Sequence, residues 1–138
     1  MFDTIERLHK MGFIYTQISP SSFRISQSKV YLMPCGSITP YLKDGVHVKP
    51  DFVQDLPSSN LYYLSCRQHE YCSPSRADDL ESLGYVVLTL LNQDIVLADA
   101  SPHKRHMNQR CYYEKKKLLE MPPEREDVKA IHNYIIEC

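Results

Sequence analysis

No stretch of this 138-residue chain is apolar for long enough to cross a bilayer as a helix, so a small soluble protein is expected. The N-terminal Met1-Phe2-Asp3-Thr4-Ile5-Glu6-Arg7 lacks the basic and apolar blocks of a secretory signal, so a reducing intracellular compartment, cytoplasm or nucleus, is expected. The chain lacks charge imbalance as well: 16 Lys and Arg against 17 Asp and Glu give a net −1 and no bulk attraction to nucleic acid or to an anionic membrane. Its five cysteines, Cys35, Cys66, Cys72, Cys111 and Cys138, form no C-x-x-C pair, which argues for reduced thiols rather than a zinc site or a disulfide framework. There is no G-x-G-x-x-G and no P-loop, so the usual glycine-rich cradle for a nucleotide phosphate is missing. No internal repeat or low-complexity tract is present. With 43% hydrophobic residues the chain can nevertheless bury a core as one domain spanning residues 1–138.

The apolar spacing within that domain predicts mainly helix. Phe2, Ile5 and Leu8 share one face over residues 2–11, with Gly12 as a stop. Phe13-Ile14-Tyr15 and Phe23-Arg24-Ile25 read as short strands around a Ser/Pro-rich turn, which predicts a hairpin, and Val30-Tyr31-Leu32-Met33 is a further strand. Residues 34–75 carry repeated Pro and Gly punctuation and read as a long ordered loop, with Asp44-Gly45 as a turn. Residues 78–92 give the strongest helix: acids occupy its first turn, and Leu80, Leu83, Val86, Val87, Leu90 and Leu91 surround much of it, which predicts burial. Residues 108–120 form a basic amphipathic helix that Pro122-Pro123 ends, and residues 127–137 form another with Val128, Ile131, Ile135 and Ile136 inward.

Within this frame, Pro74-Ser75-Arg76-Ala77-Asp78-Asp79-Leu80-Glu81-Ser82-Leu83-Gly84-Tyr85 resembles the start of the buried central helix of a protein kinase C-terminal lobe. The paired acids followed by Leu-Glu-Ser-Leu-Gly-Tyr resemble the casein kinase I group, and Pro-Ser-Arg resembles the vaccinia-related kinases within it. Gly12-Phe13-Ile14-Tyr15-Thr16-Gln17-Ile18-Ser19-Pro20-Ser21-Ser22-Phe23 is similar to the kinase catalytic loop in spacing, and Val30 to Gly36 to the strand entering D-F-G. Tyr41 to His47, and Tyr62 to His69 with its Y-x-S-x-x-x-H pattern, are similar to the segments that follow in this group. The resemblance covers residues 2–92 well and 93–138 loosely, where the usual Leu-Pro-Trp is absent. It implies a protein kinase-like C-lobe, short β-hairpins plus a helical bundle around a buried central helix, with the N-lobe absent.

The same resemblance places Gln17, Ser19, Ser22 and Pro34 where active kinases carry the proton-accepting aspartate, the phosphate-steadying lysine, the metal-holding asparagine and the D-F-G aspartate. A carboxamide is no carboxylate base, a serine has no charge for a phosphoryl group, and a proline side chain ligates no metal. Gly36, Arg76, Asp79, Glu81 and Gly84 are implied to be structural, Asp79 by accepting from amides of the loop. The expectation is a pseudokinase, not an enzyme, with no cofactor and no metal, that works by binding protein. The partners implied are a related active kinase, a kinase substrate, or a host signalling protein in the host cell if the source is viral; no direct nucleic-acid or membrane partner is expected. Two alternatives stay open: a non-functional remnant of a kinase gene, and residual serine/threonine phosphotransfer. His103-Lys104-Arg105-His106 reads as a solvated basic turn, and Arg110, Lys115, Lys116 and Lys117 as a basic helix surface. The pairs Tyr62-Tyr63 and Tyr112-Tyr113 are each expected to place one ring inward and one outward.

Overall fold

The computed structural model describes residues 1–33, 38–49, 51–56, 60–91, 104–121 and 123–138. The predicted Pro34, Cys35 and Gly36, together with Asn92 and His103, lie outside the described residues. Five helices occur among those described: α1 (Phe2–Lys10), α2 (Cys66–His69), α3 (Arg76–Leu91), α4 (Lys104–Glu120) and α5 (Glu126–Glu137). Six short strands accompany them: β1 (Phe13–Ile14), β2 (Phe23–Ser26), β3 (Lys29–Leu32), β4 (Thr39–Pro40), β5 (Leu42–Lys43) and β6 (Val46–His47). None of the described helices is long and apolar enough to cross a membrane.

Helix α3 is shared between two cores, and this makes it the axis of the molecule. Leu83 and Val86 join Ile5, Leu8, Tyr15, Ile18 and Phe23, which seats α1 and the segment after it. From its other side Tyr85 and Leu88 pack on Val128 and Ile135 of α5. A side chain at position 84 would obstruct the second contact: a Cβ there would collide with Ile135 Cγ1 and stand 3.0 Å from its Cδ1. A third cluster, Leu56, Leu61 and Leu64, sits beneath the segment leading into α2. The predicted all-round burial of α3 holds only through Leu88, because Leu90 and Leu91 are 60% and 39% exposed.

The hairpins differ from the sequence expectation. Phe13-Ile14 does not pair with Phe23-Arg24-Ile25; β1 pairs antiparallel with β4, and β2 with β3, Phe23 opposite Leu32. The β2–β3 connection is Gln27-Ser28, and both residues have positive φ, 48° and 62°. A two-residue hairpin turn of that hand matches strand twist but is normally signalled by Asn-Gly, so Gln-Ser left it unmarked. The expected Asp44-Gly45 turn does join β5 to β6, with φ of 53° and 76°. Residues 34–75 are not a plain loop: β4, β5, β6, a 3-10 turn at Leu61–Tyr63 and α2 lie within them. These elements are two to four residues long, too short for hydrophobic periodicity to register.

Two further readings are corrected along α4. The basic run continues into the helix, which begins at Lys104 rather than at residue 108, so Lys104 to His106 form its first turn and not a loop. Lys115 is fully buried instead of lying on a basic surface. The inward stripe of α4 is Asn108, Cys111 and Lys115, and two of its three residues are polar, so an apolar search assigns it to solvent. The tyrosine pairs divide: Tyr113 is 70% exposed beside a half-buried Tyr112, whereas Tyr62 and Tyr63 are both half-buried.

Candidate functional site

The segment from Tyr15 to Ser22 crosses the front of α3 and is held by one carboxylate. Asp79, 1% exposed, accepts from the Tyr15 amide through Oδ2 at 2.7 Å and from the Thr16 amide through Oδ1 at 2.8 Å. His9 of α1 donates from Nε2 to Oδ2 at 2.8 Å, so α1, α3 and the loop meet on a single side chain. Thr16 has a φ of 64°, an uncommon conformation for a β-branched residue, and the bonds from the successive Tyr15 and Thr16 amides to Asp79 hold it there. Gln68 of α2 adds a further tie by donating from Nε2 to the Thr16 carbonyl at 3.0 Å. Tyr15 is buried beneath, its hydroxyl donating to the Met33 carbonyl at 2.8 Å.

Beyond Thr16 the loop closes on itself. Pro20 opens a 3-10 turn that Ser19 precedes; the Ser22 amide donates to the Ser19 carbonyl at 2.9 Å, and the Ser19 amide to Ser22 Oγ at 3.1 Å. Ser19 and Ser22 are each 2% exposed. Ser19 Oγ is engaged with Ser21 Oγ at 2.8 Å, so both hydroxyls serve the turn. Gln17 is half-buried and borders a cavity of about 260 Å³ that Asp55, Gln68 and Cys72 also line. Its carboxamide can donate and accept hydrogen bonds but is not basic enough to take a proton from a hydroxyl.

Behind the loop lies a second polar network that sequence reasoning missed in large part. Asp78 accepts from Ser65 Oγ at 2.5 Å, the Ser75 amide at 2.7 Å and Ser75 Oγ at 2.6 Å, with Arg67 at 3.9 Å. Glu81 accepts from the Cys66 amide and the Tyr85 hydroxyl, both at 2.8 Å. Lys115 Nζ donates to the Leu64 carbonyl and to His69 Nε2, the latter at 2.9 Å, and stands 4.4 Å from the centre of the Tyr85 ring. An ammonium only donates, so His69 Nε2 is the acceptor and its Nδ1–H donates to Asn108 Oδ1.

Burial dominates the electrostatics of that network. It lowers Lys115 to about 8, and it lowers His69 to about 4 with the Lys115 charge adding to the effect. It raises Cys66 to about 11, and raises Tyr85 strongly, in both cases with the Glu81 charge acting in the same direction.

Of the residues singled out as structural, Arg76 is exposed with its guanidinium 4.7 Å from the centre of the Tyr41 ring, Asp79 and Glu81 hold backbone amides, and Gly84 admits α5. His9 and Asp78 were not singled out, and Lys115 was named only as part of a basic surface. Asp78 had a signal, since Ser75-x-x-Asp78 is spaced as a capping pair, as is Ser65-x-x-Gln68. His9 and Lys115 had none, because each is fixed by a residue far away in the chain. Cys66 and Cys111 are buried, Cys72 is half-buried and Cys138 exposed, all free thiols. Among the described residues no three His, Cys, Asp or Glu side chains converge as a metal cage.

A mostly helical body with small antiparallel sheets, whose central helix fastens a preceding loop through a buried aspartate, fits part of a protein kinase-like domain. The chain is related to casein kinase I-like and vaccinia-related protein kinases. It is 34% identical over 92 residues to a probable casein kinase I homologue of Encephalitozoon cuniculi, covering 65% of this chain and 29% of that protein. It is 30% identical over 89 residues to a pseudokinase of Monkeypox virus, covering 64% and 31%. Against the human serine/threonine-protein kinase VRK3 it is 31% identical over 97 residues, 66% of this chain and 20% of that one. The match thus spans about three tenths of the length of the first two relatives. No protein-family profile matches the chain.

Proposed function

We propose that this chain is a pseudokinase scaffold that acts by binding protein and not by transferring phosphate. The observation that carries the reading is the contrast within one loop. Asp79 still anchors its backbone through the Tyr15 and Thr16 amides, while the positions that the kinase resemblance assigns to chemistry hold Gln17, Ser19 and Ser22. Neither serine presents its hydroxyl to an incoming group, since both are buried in the 3-10 turn. A backbone kept in a strained conformation by a buried carboxylate, without a base on it, supports use as a shape.

The partners that fit are those of the related kinases: an active kinase of the same group, or the protein such a kinase modifies. A related Monkeypox virus protein bears the name pseudokinase, which supports the reading further. The test is sedimentation of the purified chain mixed with an active kinase of this group and, separately, with that kinase's protein substrate. A faster-sedimenting complex in one mixture is the expected result. Independent boundaries in both would contradict it.

A further inference from the structure

The cavity beside Gln17 has a chemistry of its own. Its volume is about 260 Å³, and among the described residues Asp55 is the one charged residue that lines it. Thr16, Gln17 and Gln68 contribute polar groups around the same space. Val53, Leu56 and Pro74 supply apolar walls. Gln68 is already committed, its Oε1 accepting from the Ser65 amide at 2.9 Å and its Nε2 donating to Thr16, so it is a rigid wall rather than an adaptable group. Gln17 and Asp55 remain as the groups that can turn to a ligand. Asp55 makes no ion pair with any described residue. A larger cavity, about 750 Å³ between α1, the start of α3 and the end of α5, is different because acid and base are already mixed there: Glu6 pairs with Lys10 at 2.5 Å on its rim.

We infer that this cavity is a pocket for a lysine or arginine side chain presented by a partner protein. The inference rests on the binding reading above and names the chemistry of the segment bound. An aliphatic stem of three or four carbons is covered by the apolar walls, while the cationic head meets the Asp55 carboxylate and the Gln17 amide carbonyl. Replacing a loop carboxylate by Gln17 matters here. A second acid at that position would repel Asp55 when the pocket is empty, whereas the carboxamide rotates to offer its oxygen to a donor without that cost. An acidic side chain is disfavoured, since it would bring like charge against Asp55, and an uncharged stem of equal length forgoes the ionic contact. The exposed Phe52 ring, 76% accessible at the bridge that joins Phe52 to Cys72, stands at the same segment and gives a partner backbone an apolar contact outside the pocket.

The experiment is an amide NMR titration of the isotopically labelled chain with four capped tripeptides, Ac-Ala-X-Ala-NH2, where X is lysine, arginine, norleucine or glutamate. The expected result is a saturable shift of the Gln17 side-chain amide and of the Thr16 and Cys72 backbone amides with the lysine or arginine peptide. Norleucine and glutamate should bind at least threefold more weakly, and Asp55→Asn should weaken the cationic peptide three- to tenfold while leaving the rest of the spectrum unchanged. Equal binding of lysine and norleucine, no shift at these residues, or indifference to Asp55→Asn would overturn the inference. The sedimentation experiment separates the two proposals: a partner complex that forms unaltered with Asp55→Asn keeps the binding reading and overturns this pocket.

Discussion

Two charged side chains decide how the front and the back of this molecule hold together. Asp79 satisfies the Tyr15 and Thr16 amides and His9 at once, so changing it to asparagine keeps the size but turns one oxygen into a donor facing a donor. An unsatisfied buried amide costs about 1–3 kcal/mol, and the loss of a charged acceptor adds to that. Asp79→Asn should therefore lower unfolding free energy in urea by about 2–4 kcal/mol. Collapse of the Tyr15 and Thr16 amide shifts toward random-coil values is expected with it. At the back, His69 is held neutral against Lys115, its folded value near 4 lying below the 6.5 of the unfolded chain. Between those values the unfolded state binds the additional proton, so stability is full above about pH 6.5 and is lost as pH falls toward 4. Between pH 6.5 and 5 the loss should be about 1–2 kcal/mol. Titration of urea midpoints should show this slope, and His69→Gln should flatten it; an unchanged slope in that variant would mean another group titrates.

At the scale of elements, the weakest design lies in the β2–β3 hairpin and the tightest in the α3–α5 contact. Gln27 and Ser28 each carry a left-handed backbone that glycine or asparagine adopts more readily, at a saving of about 1 kcal/mol per residue. Gln27→Asn combined with Ser28→Gly should raise the thermal midpoint by a few degrees. Gly84→Ala should do the reverse, since its methyl meets Ile135 in a packed core, at a cost of about 1–3 kcal/mol. The major helices were legible because apolar spacing over nine or more residues leaves a pattern, and Leu83, Val86 and Ile135 lie where that pattern puts them. Strand pairing was not legible: β1 finds β4 across twenty-odd residues, and two-residue strands leave no alternation to read. The face of α4 was hidden for a different reason. Lys115 is buried because a backbone carbonyl, a neutral histidine and an aromatic ring converge on it, and no local spacing announces a convergence of distant residues.

For the whole molecule, resemblance to kinases and the geometry of the loop bear on separate questions. Relatedness covers about 65% of the chain, whereas the two cores on the central helix draw residues from Ile5 to Ile135. In the loop, the residue types Gln17, Ser19 and Ser22 were legible beforehand, and the structure adds the burial and hydrogen bonds of the two serines. On the proposed function, the Asp79-anchored loop persists as architecture without phosphoryl transfer. The most direct measurement is transfer of labelled phosphate from magnesium-ATP by the purified chain, to itself and to a general protein acceptor. No incorporation above the protein-free reaction is predicted. Incorporation that disappears in Gln17→Ala, with folding intact, would contradict the account.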